Sequence, residues 1–133
     1  MSNVVAHGVD LVWVPRIGEM LRDHGEKFLD RCFTRAEQEY CLANTKRKVE
    51  HLAARFAAKE AVMKALGTGL AEGIAWTQVE VVRLASGEPR LQLTGEAANA
   101  AATRGIGSWL ISLSHTEQMA IASVIGLKSD GAG

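Results

Sequence analysis

Hydrophobic and polar positions follow one pattern in the first half of the chain and another in the second half. β-Branched and other apolar residues dominate positions 4–14, which predicts a central strand. Pro15 suits the first turn of a helix, and Gly67 suits a left-handed helix stop. Thr34 and Glu37 have the spacing of a capping box, so a helix should begin at the next residue after Thr34. Helices are predicted over residues 15–24, 26–32, 35–43 and 49–66.

The second half favours strands around one helix. Strands are predicted over residues 78–84, 90–93, 109–114 and 119–125, with an alanine-rich helix over 96–104. One strand, several helices and then further strands indicate an α+β class, a single domain with a small, mainly antiparallel sheet packed on a long central helix. We assign residues 1–126 to this domain and expect 127–133 to form a flexible C-terminal tail.

Composition narrows the classes of partner and compartment. Apolar residues make up 47% of the 133, which is enough for one hydrophobic core, and 15 basic residues balance 15 acidic ones. This balance argues against a nucleic-acid partner, and the apolar runs are too short to span a membrane. The two cysteines lack the spacing of a disulfide or metal framework, so we expect a cytoplasmic protein.

Within residues 55–67, the acidic residue Glu60 lies on the apolar face of the longest predicted helix. Glu60 shares its face with Phe56 and Ala57, because residues three or four apart are neighbours on a helix. A carboxylate in such surroundings loses hydration and needs a compensating partner. Lys64, a hydroxyl or a metal ion would each serve. An intrahelical pair with Lys64 alone would contribute only about 0.2–0.5 kcal/mol.

A second acid stands where an apolar residue is expected. Asp10 lies inside the first predicted strand, and a single acid of this kind is more often structural than catalytic. Two such acids, Asp10 and Glu60, are a stronger signal, since paired carboxylates suit a hard divalent cation. Magnesium uses few protein oxygens, keeps water ligands and often bridges phosphates, so the sequence predicts a sparse Mg²⁺ site.

Positive charge gathers around the same helix. The basic residues are Lys46, Arg47, Lys48, Arg55, Lys59 and Lys64. A solvated basic face is the simpler interpretation, favoured for Lys48, and Lys59 could cover apolar surface with its stem. Beside a metal ion, however, such a cluster would hold a multiply phosphorylated ligand.

A hydroxyl-rich segment, 112–116, ends one of the late strands. A Ser–His nucleophile is disfavoured, because the chain lacks a Gly-x-Ser-x-Gly turn and neighbouring strand residues point to opposite faces. Contact of His115 and Thr116 with a phosphate is the better interpretation.

These motifs, in this order, resemble a known family. They are Gly8-Val9-Asp10-Leu11, Arg55-Phe56-Ala57-Ala58-Lys59-Glu60-Ala61 with Lys64, Gly67-Thr68-Gly69, and Ser112-Leu113-Ser114-His115-Thr116. Together they are similar to the holo-[acyl-carrier-protein] synthases, the short class of 4′-phosphopantetheinyl transferases, over residues 4–125. The resemblance implies the fold of that superfamily, transfer of phosphopantetheine from coenzyme A to a serine of an apo acyl carrier protein, and release of adenosine 3′,5′-bisphosphate. It favours fatty acid biosynthesis and implies a homotrimer with sites between subunits.

The resemblance also implies residue roles. Asp10 and Glu60 would hold Mg²⁺, and Lys64 would contact the pyrophosphate. Coenzyme A phosphates would meet Lys46, Arg47 and Arg55, and the 3′-phosphate would meet His115 and Thr116 from a neighbouring subunit. Arg16 would dock the acidic carrier protein. Glu60 or a metal-bound water would accept the serine proton.

Trp13 departs from the pattern of the family, since many relatives have a glutamate shortly after the aspartate. Asp10 and Glu60 are therefore the two supported ligands, and weaker metal affinity is expected. The runner-up function is a non-catalytic module that binds coenzyme A or a nucleotide. It would keep the basic cluster and use Glu60 only in a helix ion pair.

Overall fold

The computed structural model describes residues 2–130, which form five helices and five strands. The helices are α1 (Val14–His24), α2 (Glu26–Cys32), α3 (Arg35–Ala43), α4 (Lys48–Leu66) and α5 (Gly95–Thr103). The strands are β1 (Val4–Trp13), β2 (Val79–Arg83), β3 (Pro89–Leu93), β4 (Ile106–His115) and β5 (Met119–Lys128). The α+β class is confirmed.

The strands form two antiparallel sheets. β5 lies between β1 and β4 in a three-stranded sheet, and β2 pairs with β3 in a separate hairpin. The first strand and the last two thus become neighbours although about a hundred residues separate them. This pairing places Asp10 opposite Ala122.

Local signals fixed the helix ends as predicted. The Thr34 hydroxyl accepts a hydrogen bond from the Glu37 amide at 3.2 Å, while Glu37 Oε1 accepts one from the Thr34 amide at 2.9 Å. This reciprocal pair is the capping box that begins α3. Gly67 ends α4 in the left-handed conformation, with φ of 75°.

Some boundaries differ from the prediction. α1 begins at Val14 and α4 at Lys48, each one residue early, and a 3₁₀ turn at Trp76–Gln78 was not predicted. β4 begins three residues earlier than expected, where it pairs with the end of β5. β5 itself runs to Lys128, so its last two residues belong to the segment predicted as a flexible tail. Residues 131–133 of that tail lie outside the described residues.

The three-stranded sheet packs on α4 through small residues. The buried face of β1 carries Gly8, Asp10 and Val12, and α4 offers Ala57, Ala58 and Ala61. At Gly8 the approach is closest: a β-carbon there would stand 2.0 Å from the carbonyl oxygen of Ala61. Only glycine allows the strand to lie this close to the helix backbone.

The opposite face of this sheet is apolar and exposed in the single chain. Its large exposed side chains are Val5, Val9, Leu11, Trp13, Leu110 and Ile121. A continuous apolar face on a small protein is typical of an interface with another protein. No helix within residues 2–130 is both long enough and apolar enough to cross a membrane.

The contact at Gly8 gives a stability prediction. Gly8→Ala should destabilise the fold by about 3 kcal/mol or more, because the added methyl group can be accommodated only if β1 and α4 separate. Urea unfolding followed by circular dichroism measures the change. Gly18→Ala is the matched control: its β-carbon would lie 3.6 Å from Val49 Cγ1, an ordinary contact, and helix propensity favours alanine there. Equal stability of the Gly8→Ala variant and wild type would contradict the proposed role of Gly8.

Candidate active site

Asp10, Glu60 and Lys64 come together where β1 crosses α4. Lys64 Nζ donates to Asp10 Oδ1 at 2.6 Å and lies 3.4 Å from the Val9 carbonyl oxygen. Asp10 is 7% exposed, whereas the Lys64 side chain is largely open to solvent. The lysine predicted as a partner for Glu60 on the helix therefore pairs with the acid on the strand.

Glu60 shares this site with Asp10. The pKa of Glu60 is raised from 4.5 to about 7, first by burial and then by a hydrogen bond to Asp10 and the negative charge of Asp10. Lys64 and Arg16 oppose this rise because they favour the ionised form. The hydrogen bond between Lys64 and Asp10, and then the negative charge of Asp10, raise the pKa of Lys64. Lys64 thus pairs with Asp10, and burial together with the charge of Asp10 favours the protonated form of Glu60.

The two acids fit a divalent cation. Asp10 Oδ2 is buried and has no hydrogen-bond partner among the described residues, which is costly for a carboxylate oxygen. Burial and then the neighbouring Asp10 raise the pKa of Glu60 beside it. A cation would satisfy the free oxygen and relieve the repulsion. Within residues 2–130 no group of three or more His, Cys, Asp or Glu side chains could hold a metal. Two carboxylates nevertheless suffice for Mg²⁺, which keeps water and phosphate ligands.

A charged cleft of about 500 Å³, with two basic and two acidic side chains in its lining, lies at the other end of α4. Its lining residues are Lys46, Arg47, Glu50, His115, Thr116 and Glu117. The structure therefore brings together four of the residues assigned to coenzyme A. His115 Nδ1 lies 2.8 Å from Glu50 Oε2, so its other nitrogen remains for a ligand. The Thr116 hydroxyl accepts hydrogen bonds from the amides of Gln118 and Met119 in the turn between β4 and β5.

Arg55 does not lie open on this surface. It is 1% exposed, and its Cζ stands 4.4 Å from the centre of the Tyr40 ring. Its Nη1 donates to the His51 carbonyl oxygen at 3.3 Å, while Nε and Nη2 have no partner among the described residues. Arg55 lines a second cleft, of about 320 Å³, which shares His115 with the first. The sequence marked Arg55 as basic and ligand-binding but did not indicate its burial.

Lys59 has a structural role, contrary to its grouping with the phosphate-binding cluster. Its side chain is fully buried, and Nζ donates to Glu37 Oε1 at 2.8 Å, to the Trp76 carbonyl oxygen at 3.1 Å and to the Val79 carbonyl oxygen. Burial lowers its pKa, whereas Glu37 raises it. Glu37 also accepts from the Val81 amide at 2.9 Å, so the pair joins α3, α4 and β2.

Arg16 lies near the acidic site, whereas Trp13 lies on the opposite face of the sheet from Asp10. Arg16 is exposed on the first turn of α1, and its charge lowers the pKa of Glu60, which places it near the carboxyl pair. Trp13 is half exposed on the outer face of the sheet, at the residue before α1. It provides no oxygen for a metal, so the described site has the two carboxylates predicted from the sequence.

Sequence reasoning missed several residues of these clefts. Glu50, Tyr40 and Arg83 had no role assigned, yet Glu50 contacts His115, and Arg55 and Arg83 both stack on Tyr40. Glu50 follows Arg47 by three residues, about one helical turn, and this spacing is a signal that could have drawn attention to it. Nothing local marked Tyr40 or Arg83, which come from other elements.

Comparisons with known proteins show the family and the fold of this chain. Residues 6–122 match the model of the 4′-phosphopantetheinyl transferase superfamily. The holo-[acyl-carrier-protein] synthase of Gloeobacter violaceus is 49% identical over 117 residues, 88% of each chain. The crystal structure of the holo-[acyl-carrier-protein] synthase of Neisseria meningitidis superposes with a TM-score of 0.84 at 30% identity, over 94% of this chain and 99% of that one. The enzyme of Helicobacter pylori, in complex with coenzyme A, has a TM-score of 0.78 at 29% identity, over 90% and 98%.

The chain therefore belongs to the 4′-phosphopantetheinyl transferase superfamily and, within it, to the holo-[acyl-carrier-protein] synthases. The resemblance drawn from the motifs is confirmed, as are the fold and the class of enzyme.

The raised pKa of Glu60 gives a prediction for protein freed of divalent cations. A carboxyl with a higher pKa in the folded than in the unfolded state contributes stability below about pH 4.5, and this contribution is lost as the pH rises through about 7. The melting temperature of wild type should therefore fall over this range relative to that of Glu60→Gln, whose amide does not titrate. Melting curves in EDTA measure the difference. Glu19→Gln, on the exposed surface of α1, is the control and should follow wild type. Parallel profiles of wild type and Glu60→Gln would show that the carboxyl pair is not coupled.

Proposed function

We propose that this chain transfers 4′-phosphopantetheine from coenzyme A to a serine of apo acyl carrier protein with Mg²⁺, releasing adenosine 3′,5′-bisphosphate. The observation that carries the proposal is the carboxyl pair of Asp10 and Glu60 with Lys64 beside it, in a member of this family. Phosphoryl transfer depends on positioning and charge neutralisation rather than on a covalent nucleophile, and these residues supply both. Membership of the short class favours a role in fatty acid biosynthesis. The two free, buried cysteines favour the cytoplasm.

Asp10 and Glu60 would hold the magnesium ion through the buried Oδ2 of Asp10 and the neighbouring carboxyl of Glu60. When bound, Mg²⁺ would neutralise charge on the diphosphate of coenzyme A. Lys64 would add a donor to the leaving phosphate, because its exposed ammonium is anchored at Asp10 on one side only. Glu60, or a water held by the metal ion, would accept the serine proton.

The basic residues would hold the remaining phosphates of coenzyme A. Lys46, Arg47, His115 and Thr116 line one cleft, and Arg55 lines the adjoining one. The Helicobacter pylori relative is described in complex with coenzyme A, which supports the assignment of this ligand to the same fold. Arginine and lysine on several sides of a cleft are suited to phosphate groups.

The spacing of these groups supports the proposed homotrimer with sites between subunits. Arg47 precedes Glu60 by thirteen residues on one helix, which separates them by roughly 20 Å along its axis. Residues at opposite ends of α4 could serve one coenzyme A more easily if they came from two subunits. The exposed apolar face of the three-stranded sheet offers a surface for that association.

The proposed reaction can be tested by intact mass spectrometry of an apo carrier protein incubated with coenzyme A and Mg²⁺. Wild type should add one phosphopantetheine arm, whereas Glu60→Gln should lose activity by about 10²-fold or more because it removes a metal ligand and the proton acceptor. Circular dichroism should show an intact fold. Binding of coenzyme A without any mass gain by wild type would identify a non-catalytic binding module instead. Normal turnover by Glu60→Gln would remove Glu60 from the mechanism.

Arg16 is proposed to dock the acidic carrier protein. Arg16→Glu should raise the KM for carrier protein by roughly tenfold or more and leave that for coenzyme A nearly unchanged, because like charges across an interface repel. Steady-state kinetics with each substrate varied in turn measure both constants. Arg22→Glu is the matched control on the same helix, at a side chain that is 71% exposed and paired with Asp23. Equal effects of Arg16→Glu on both substrates would contradict the docking role.

A further inference from the structure

The second cleft concentrates cations without an acid among them. Arg55 and Arg83 contribute guanidinium groups, and His51 and His115 contribute rings. Its remaining described lining is Ala54, Pro89, Ile111, Ser112 and Leu113. No aspartate or glutamate from residues 2–130 lines this cleft. A concave surface with cations on several sides is complementary to an anion.

Arg83 and Arg55 stack with the same aromatic ring. The guanidinium carbon of Arg55 lies 4.4 Å from the centre of the Tyr40 ring, and that of Arg83 lies 5.3 Å from it. Both guanidinium groups therefore lie against one aromatic ring and line the same cleft. Contact with the face of an aromatic ring attracts each cation and offsets part of the cost of its desolvation.

Several guanidinium donors in this cleft lack a partner. Arg55 Nε and Nη2 and Arg83 Nε are buried and make no hydrogen bond within the described part of the chain. A buried charged donor without an acceptor is costly, and an anionic ligand would offset that cost.

The charges of the two arginines affect the pKa of His51. Its pKa is lowered, first by burial and then by Arg55, His115 and Arg83, whereas Glu50 raises it. His51, which lines the cleft, therefore lies in the positive potential of the two arginines.

We propose that Arg83 is a coenzyme-binding residue that recognises the 3′-phosphate of coenzyme A together with Arg55. The inference rests on the proposed function, since it assigns part of the same substrate. A phosphate monoester carries close to two negative charges, which matches two adjacent guanidinium groups.

The position of the cleft favours the 3′-phosphate over the reacting diphosphate. Arg55 precedes Glu60 by five residues, a rotation of about 140° around the helix axis, so the two side chains leave α4 on different sides. Within one subunit the cleft is therefore separate from the carboxyl pair. His115, which both clefts share, is the residue already assigned to the 3′-phosphate.

Arg83 also has a structural contact that the test must separate from binding. Its Nη1 donates to the Gly87 carbonyl oxygen in the turn between β2 and β3. Arg83→Gln keeps a donor that can reach this carbonyl but removes the charge, whereas Arg83→Met removes both. Arg90→Met removes an exposed arginine from the same hairpin and is the matched control, because Arg90 does not line the cleft.

The experiment is isothermal titration of the full chain with coenzyme A and with dephospho-coenzyme A, which lacks only the 3′-phosphate. Wild type and Arg90→Met should bind coenzyme A more tightly than the dephospho form. Arg83→Gln and Arg83→Met should each reduce that preference by about tenfold or more, as expected for loss of a charge-assisted hydrogen bond.

The outcomes separate this inference from the proposed function. If wild type binds no coenzyme A, the proposed function itself fails. If wild type prefers coenzyme A and Arg83→Gln keeps that preference, the role of Arg83 is overturned while the proposed function stands. A loss seen only in Arg83→Met would assign Arg83 to the hairpin. An equal loss of affinity for coenzyme A and for dephospho-coenzyme A would overturn the contact with the 3′-phosphate and assign Arg83 to another part of coenzyme A. Where Arg83→Met does not fold, Arg83→Gln decides alone.

Discussion

The contact between Gly8 of β1 and the Ala61 carbonyl of α4 is the constraint on which the acidic site depends. A strand normally stands off a helix by the length of its side chains, but here a missing side chain meets a run of alanines. Backbones this close leave little room between them, so the next inward residue of the strand, Asp10, is placed directly beside the helix. The carboxyl pair and the lysine at Asp10 follow from this approach. Gly8 and Asp10 of the first motif therefore act together. Gly8 allows β1 to lie close to α4, and this closeness places Asp10 beside Lys64.

The buried charges of the molecule fall into two groups that differ in how completely they are neutralised. Lys59 and Glu37 satisfy each other and four backbone groups, so they hold α3, α4 and β2 together and have little capacity left for a ligand. The acidic site, by contrast, keeps an unpartnered oxygen on Asp10, and the pKa of Glu60 beside it is raised. Burial of a charge is expensive in both groups. Where neighbours do not compensate that cost, a ligand from outside the chain can do so, and this distinguishes a binding site from a structural ion pair.

Helix α4 connects these features and also separates them. One stripe carries Glu60 and Lys64 against β1, while its first turns carry Glu50 and Arg55 towards the two clefts. A rigid helix keeps the two regions at a fixed distance, which no movement of a loop could shorten. The apolar sheet face on the far side of β1 remains open in the single chain. Assembly through such a face would bring the acidic region of one subunit towards the two clefts of another without any change in the fold.

The sequence by itself determined the helices, the family and the identity of the acids, because these depend on local or ordered signals. The capping box at Thr34 and the stop at Gly67 act within one turn of chain, and their geometry was predicted correctly. Asp10 and Glu60 stood out because each interrupts an apolar pattern. Tertiary structure alone decided which charges meet. Lys59 and Lys64 cannot be told apart by residue type in the sequence. In the structure, Lys59 is fully buried against Glu37, whereas Lys64 is exposed to solvent beside Asp10. Likewise, Arg83 reaches Tyr40 and Arg55 only because the hairpin folds beside α4. Charge interactions depend on distance and burial, and residues far apart in the chain acquire both only when the sheets close around the helix.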